Sequence, residues 1–397
     1  MTEITTLRRR RAPLVALAVV ALFAGLWGGL IRLGLQLPSD VTGAAAQHGP
    51  LMALGFLGTL VSLERAVALD RSWAYAAPLG AALGALATVM ASPGALGPAL
   101  VSFGGLVLLG AHLALHRKQP SAHNAVMGLG AVAWCAAAID WVGGAGPSLF
   151  APLLAGFLVL TIVGERLELT RAAHRSARVR MLLLTAIAVF CVGLAVSLGA
   201  ERPGIRIAGV GLLAQALWLA RYDVARRTVR IGGVTRFMAS ALLTGYVWLA
   251  CAGVLWITYA PLSDGPAYDA SLHAVFLGFV MSMVFAHAPV IVPAVLRVPV
   301  PFTRGFYAHL VLLHLSLAVR LIGGDLAGST PLWQWGGITG EVAILLFLAT
   351  TAAAVCRALR QRRQLGPVMP ATDLHRAAAS HPRRGSERLM RDADRAR

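Results

Sequence analysis

Of the 397 residues, 57% are hydrophobic and only 13% charged, and the mean hydropathy is +0.71. A soluble globule of this composition would leave far too much apolar surface in water, so a bilayer is the expected solvent. The formal net charge of +18 does not point to nucleic acid, because the basic residues fall in short clusters between apolar runs and in the tail, which is a topology signal.

Crossing about 30 Å of hydrocarbon takes about 20 apolar residues in a helix. Runs of that kind lie near 13–35, 48–69, 74–92, 97–115, 122–143, 148–169, 179–199, 205–221, 236–258, 270–296, 304–322 and 332–356. They predict an all-α polytopic membrane bundle of about twelve helices over residues 13–356, with a basic segment 1–12 before it and a basic disordered tail, 357–397, after it. The first run follows Arg8, Arg9, Arg10 and Arg11 as a signal core would. It is too long for one and has no convincing cleavage site, so it reads as a retained helix.

Lys and Arg concentrate in alternate connections: Arg8–Arg11, Arg71, Arg117 with Lys118, Arg171–Arg180, Arg221–Arg230, Arg297 with Arg304, and Arg357–Arg363. By the positive-inside rule these are cytoplasmic, which puts both termini inside a bacterial-type inner membrane. Arg202 and Arg206 are the exceptions. Cys135, Cys191, Cys251 and Cys356 sit singly in or beside apolar runs and are expected to be buried and unpaired.

A spacing recurs along the chain. Gly55-Phe56-Leu57 precedes Glu64-Arg65 in the second helix, and Gly156-Phe157-Leu158 precedes Glu165-Arg166 at the same distances in the sixth. The tenth carries Gly278-Phe279-Val280, with His287 aligned to the two glutamates. A period of four helices, used three times, predicts equivalent helices two, six and ten around one axis.

Ionisable residues inside a membrane usually face the bundle interior. His48 opens helix two and His273 opens helix ten, so both imidazoles are expected near the outer face at matched depth. Facing each other, they suit ligation of a haem iron from both sides, or from one with the other open to a gas; the alternative is two interfacial histidines bonded to backbone carbonyls. Arg32 and Arg320, at the same level, either pair with haem propionates or snorkel to headgroups. Deeper, His287 lies about 21 Å along the helix from His273. With His309 and His314 it suggests a second metal or haem site, or a proton relay with Glu64, Arg65, Glu165 and Arg166, or plain polar contacts; five residues separate His309 from His314, a poor spacing for one helical face. Glu341 and Asp140 are further candidates for proton handling or interhelical contact. No Walker A loop, HExxH, CxxCH or serine elbow occurs in the sequence, so a haem here would be of the non-covalent b type.

Twelve helices, a threefold four-helix repeat and histidines on helices two and ten together resemble the catalytic subunit, subunit I, of the haem-copper oxidase superfamily. Within that group, His48-Gly49-Pro50-Leu51-Met52 to Gly55-Phe56 and His273-Ala274-Val275 to Gly278-Phe279 are more similar to the NnrS-like membrane proteins. The resemblance implies a haem-associated protein linked to nitric oxide or respiratory metabolism, with an electron donor or nitric oxide as partner and copper as an alternative metal. Helices six and seven have no intramembrane histidine, so it does not extend to a binuclear oxygen-reducing centre. Two other functions fit the same features: a secondary transporter of a small solute using buried Glu, Arg and His, and a non-catalytic assembly or scaffold protein.

Overall fold

The computed structural model describes the backbone of residues 2–38, 45–90, 94–171 and 176–364. Of the tail expected to be disordered, 357–397, residues 357–364 instead continue the last helix, and the rest lies outside the described residues. Twelve helices among those described are long and apolar enough to cross a membrane. They are α1 (Arg11–Arg32), α2 (His48–Leu69), α3 (Ser72–Val89), α4 (Leu96–Lys118), α5 (Ala122–Val142), α6 (Pro147–Thr170), α7 (Ala177–Ser197), α8 (Glu201–Tyr222), α9 (Gly233–Tyr259), α10 (Gly265–Leu296), α11 (Phe306–Leu326) and α12 (Thr330–Gln361). The chain thus has the architecture of a multi-pass membrane protein. Its outward side chains agree: Leu106, Leu113, Ile139, Leu149, Leu182 and Leu217 are all exposed, a surface that lipid tolerates and water does not.

The apolar runs ended close to the helix ends because the connections carry Gly, Pro and charge. Two boundaries moved for a physical reason. Helix α10 starts five residues before the apolar run, at a turn in which Asp264 is extended and Pro266 sits near the helix start, where proline's missing N–H costs nothing. Helix α11 runs on to Leu326 through Arg320 and Asp325, because both charges are buried rather than facing the membrane boundary.

Helix α6 is the most enclosed span, with 78% of its apolar window buried. It touches both α2 and α10, which also touch each other, so the three helices bearing the Gly-Phe motif meet at the centre. Around them, α4 packs on α5, α8 on α9, and α12 on α1. Small residues permit the close crossings: a Cβ on Gly84 would lie 2.7 Å from the Gly97 carbonyl, and one on Gly209 would lie 2.9 Å from that of Gly253. Arg11 ties the far ends together, donating to the Tyr75 hydroxyl at 3.1 Å and the Val295 carbonyl at 3.3 Å.

Three segments widen into π turns: Leu51–Gly58 in α2, Ala274–Val280 in α10 and Val319–Leu326 in α11. Such turns are rare and concentrate where side chains must be re-aimed. Two of them begin within three residues after His48 and His273, and the third contains Arg320. The cysteines are free; Cys135, Cys191 and Cys251 are half-buried, Cys191 against the main core, and Cys356 is exposed, so none is fully buried as expected.

Candidate functional site

A cavity opens between α1, α2, α6, α10, α11 and α12, and both His48 and His273 line it. The two rings stand 6.5 Å apart between centroids, with their planes 23° apart. Each ring is oriented through Nδ1, His48 against the Gly25 carbonyl of α1 at 2.6 Å and His273 against the Asp269 carbonyl at 2.8 Å. Donation to a carbonyl puts a proton on each Nδ1, and each Nε2 has no hydrogen-bond partner among the described residues. The carbonyl bonds fit both sequence readings, since a ligating histidine commonly donates its second N–H to a carbonyl. What separates the readings is that the free nitrogens belong to two rings lining one cavity.

Glycines make the room. A Cβ on Gly29 would come within 2.6 Å of Glu341 Oε1 and 3.2 Å of His48 Cε1, and one on Gly337 within 2.8 Å of Arg320 Nη1. Elsewhere the wall is apolar, with Leu26, Met52, Leu154, Phe276 and Met281 among its members.

The two arginines differ. Arg320 is mostly committed: Nε and Nη2 donate to Asp269 Oδ2 at 3.0 and 2.8 Å, and its guanidinium lies 5.4 Å from the Trp333 ring centre. Arg32 lines the cavity and has no hydrogen bond or ion pair among the described residues. An anion entering from this end would therefore meet Arg32 with its full donor set, and only Nη1 of Arg320.

At the opposite end of α2 and α6 lies a second polar layer. Arg65 Nη2 bridges Glu64 at 2.8 Å and Glu165 at 3.0 Å. Arg166 makes a two-pronged pair with Asp223, both bonds at 2.8 Å, with the Asp223 side chain completely enclosed. Asp223 also accepts from the backbone N–H of Ala225 at 2.7 Å.

The deeper histidines do not converge. His287 Nδ1 bonds the Met283 carbonyl one turn back at 2.7 Å. His309 is fully buried among Phe237, Phe285, Phe306 and Phe347, and its Nδ1 meets the Thr350 hydroxyl at 3.2 Å. On His314 both nitrogens are engaged, Nε2 with the Thr244 hydroxyl at 2.8 Å and Nδ1 as acceptor from Trp248 at 3.0 Å. No group of three or more His, Cys, Asp or Glu side chains among the described residues is arranged to hold a metal ion. The expected grouping of His287, His309 and His314 as metal ligands thus finds no common centre among the described residues: His287 bonds its own helix, His309 lies among phenylalanines, and His314 has both nitrogens engaged.

Sequence reasoning passed over Asp269, Asp223 and Gly25. A signal existed for Asp269, which stands four residues before His273 and so shares its helix face. None existed for Gly25, which acts through its carbonyl.

The fold and this cavity define a multi-pass membrane protein with a histidine-faced chamber near one end of the bundle. The family described as a domain of unknown function (DUF8744) matches residues 11–356, and the chain belongs to it. No curated protein matches the chain.

Proposed function

We propose that this is a haem-binding protein of the inner membrane, in which His48 and His273 are the residues that would hold the haem iron. The observation that carries the reading is the spacing of the two imidazoles across the cavity. Two imidazoles whose Nε2 atoms both reached one iron through bonds of about 2 Å would have ring centres about 6 Å apart; here the centres are 6.5 Å apart and the planes 23° from parallel. Each ring is already held through Nδ1 with Nε2 free, and two glycines keep the space between α1 and α12 open. Arg32 is the side chain available to a propionate.

The threefold, oxidase-like arrangement belongs to the same proposal. It is supported by the meeting of α2, α6 and α10 and by packing that recurs every four helices. By the distribution of Lys and Arg, the histidine end faces outward and both termini are cytoplasmic. A bound haem would supply reversible one-electron chemistry and a site for a diatomic gas. The chain's own part is to orient the ligands and exclude water from them. The link to nitric oxide or respiratory metabolism rests on the similarity of the two histidine segments to NnrS-like proteins.

An absorption spectrum of the detergent-purified protein from haem-sufficient cells tests the proposal. A Soret band is expected in the wild type, and shifted, weakened or lost in His48→Ala and His273→Ala variants that remain folded. Colourless wild-type protein would remove the haem reading and leave the transporter reading, for which the same cavity, with Glu341 inside it, is a solute chamber.

A further inference from the structure

The two imidazoles are held in different ways. His48 Nδ1 meets one neutral acceptor on another helix, the Gly25 carbonyl. His273 Nδ1 faces two acceptors on its own helix, the Asp269 carbonyl at 2.8 Å and the Asp269 carboxylate Oδ1 at 3.3 Å. The carboxylate is itself clamped, because its other oxygen, Oδ2, accepts from Arg320 twice and from Trp333 Nε1 at 3.1 Å. A chain of contacts therefore runs from α12 and α11 through Asp269 to the ring of His273. Among the described residues, only the Gly25 carbonyl stands behind His48; the Glu341 carboxylate lies near the same ring but makes no hydrogen bond to it.

Resting on the haem reading above, we infer that Asp269 is a positioning residue which fixes the His273 ring and lends it negative charge. His273 is then the anchoring residue and His48 the releasable one, so a bound haem would be open to a diatomic gas on the His48 side. A carboxylate behind a ligating imidazole locks its orientation and raises its basicity. A more basic ligand favours the oxidised metal and binds it more tightly. Arg320 and Trp333 temper the effect, because every N–H on Oδ2 draws charge away from Oδ1.

The competing account makes Asp269 only the counter-ion of Arg320. The pair is well enclosed, with side-chain exposures of 10% and 15%, and its loss would loosen α10 against α11. The two accounts separate on the haem midpoint potential, measured on the full-length protein in detergent. Asp269→Asn removes the charge and is expected to shift the potential upward, with haem affinity falling about 10–100-fold. Trp333→Phe removes one donor from the carboxylate and is expected to shift the potential downward with the Soret band retained. Opposite signs cannot come from loosened packing alone.

Carbon monoxide added to the reduced protein reads the second half of the inference. His48→Ala is expected to keep haem and bind carbon monoxide faster than wild type, while His273→Ala loses haem. Potentials that stay fixed, or move in the same direction in Asp269→Asn and Trp333→Phe, would overturn the inference, as would haem retained in His273→Ala but lost in His48→Ala. Should Asp269→Asn fail to fold, the sign of the shift in Trp333→Phe still decides. Wild-type protein without a Soret band would instead sink the underlying haem reading.

Discussion

The two polar regions of this bundle use their charges in opposite ways. In the layer at the end of α2 and α6, the charges find partners within the chain: Arg65 has two glutamates and Arg166 has both oxygens of Asp223. At the histidine end, two ring nitrogens, one guanidinium and the Glu341 carboxylate face a shared cavity without partners among the described residues. Because these groups line an opening rather than a packed interior, water or a ligand can reach them. Charge paired with charge marks a region that holds helices together; ionisable groups left facing a shared cavity mark one that can receive a ligand.

The largest expected effect breaks the satisfied layer. Arg166→Ala leaves the Asp223 carboxylate buried without its counter-charge, which costs about 3–5 kcal/mol in comparable buried pairs. Arg166→Met combined with Asp223→Leu removes both charges and is expected to recover most of that loss. Thermal unfolding in detergent compares the two. A double variant as unstable as the single one would mean that the pair does more than join α6 to the α8–α9 connection.

A smaller effect distinguishes filling the cavity from crowding the core. Gly29→Leu places its first carbon against Glu341 and the His48 ring, whereas Gly58→Ala places one 2.7 Å from Trp134, away from the cavity. Each overpacks by about 1–3 kcal/mol, so their melting temperatures should fall by similar amounts. Only Gly29→Leu is expected to lose the Soret band. If both variants lost it equally, haem retention would merely report global stability.

What the sequence revealed follows from which interactions leave a one-dimensional trace. The spans were legible because an apolar run of the right length has few alternatives, and the α2 and α10 histidines because ionisable residues in such runs are rare. Glu64-Arg65 and Glu165-Arg166 were legible through their repeated spacing, and the structure joins them through Arg65. Asp223 was hidden in a basic connection where charge reads as topology. Asp269 was hidden because the apolar run started one residue after it. The π turns, two of which follow the cavity histidines, carry no composition of their own that a sequence reading could recognise.

The smallest expected effect concerns the deeper histidines, and it sharpens the contrast from the other side. His314 lies within a bundle that already satisfies it, with Thr244 on one nitrogen and Trp248 on the other. His314→Gln keeps a polar side chain but does not reproduce both contacts, so the loss should be about 0.5–1.5 kcal/mol, the net worth of one hydrogen bond. The absorption spectrum and the metal content of the purified protein should be unchanged. A fall in bound metal on this substitution would show that an imidazole with both nitrogens engaged can still be recruited as a ligand, and partner status would then no longer separate the receiving end of the molecule from the structural one.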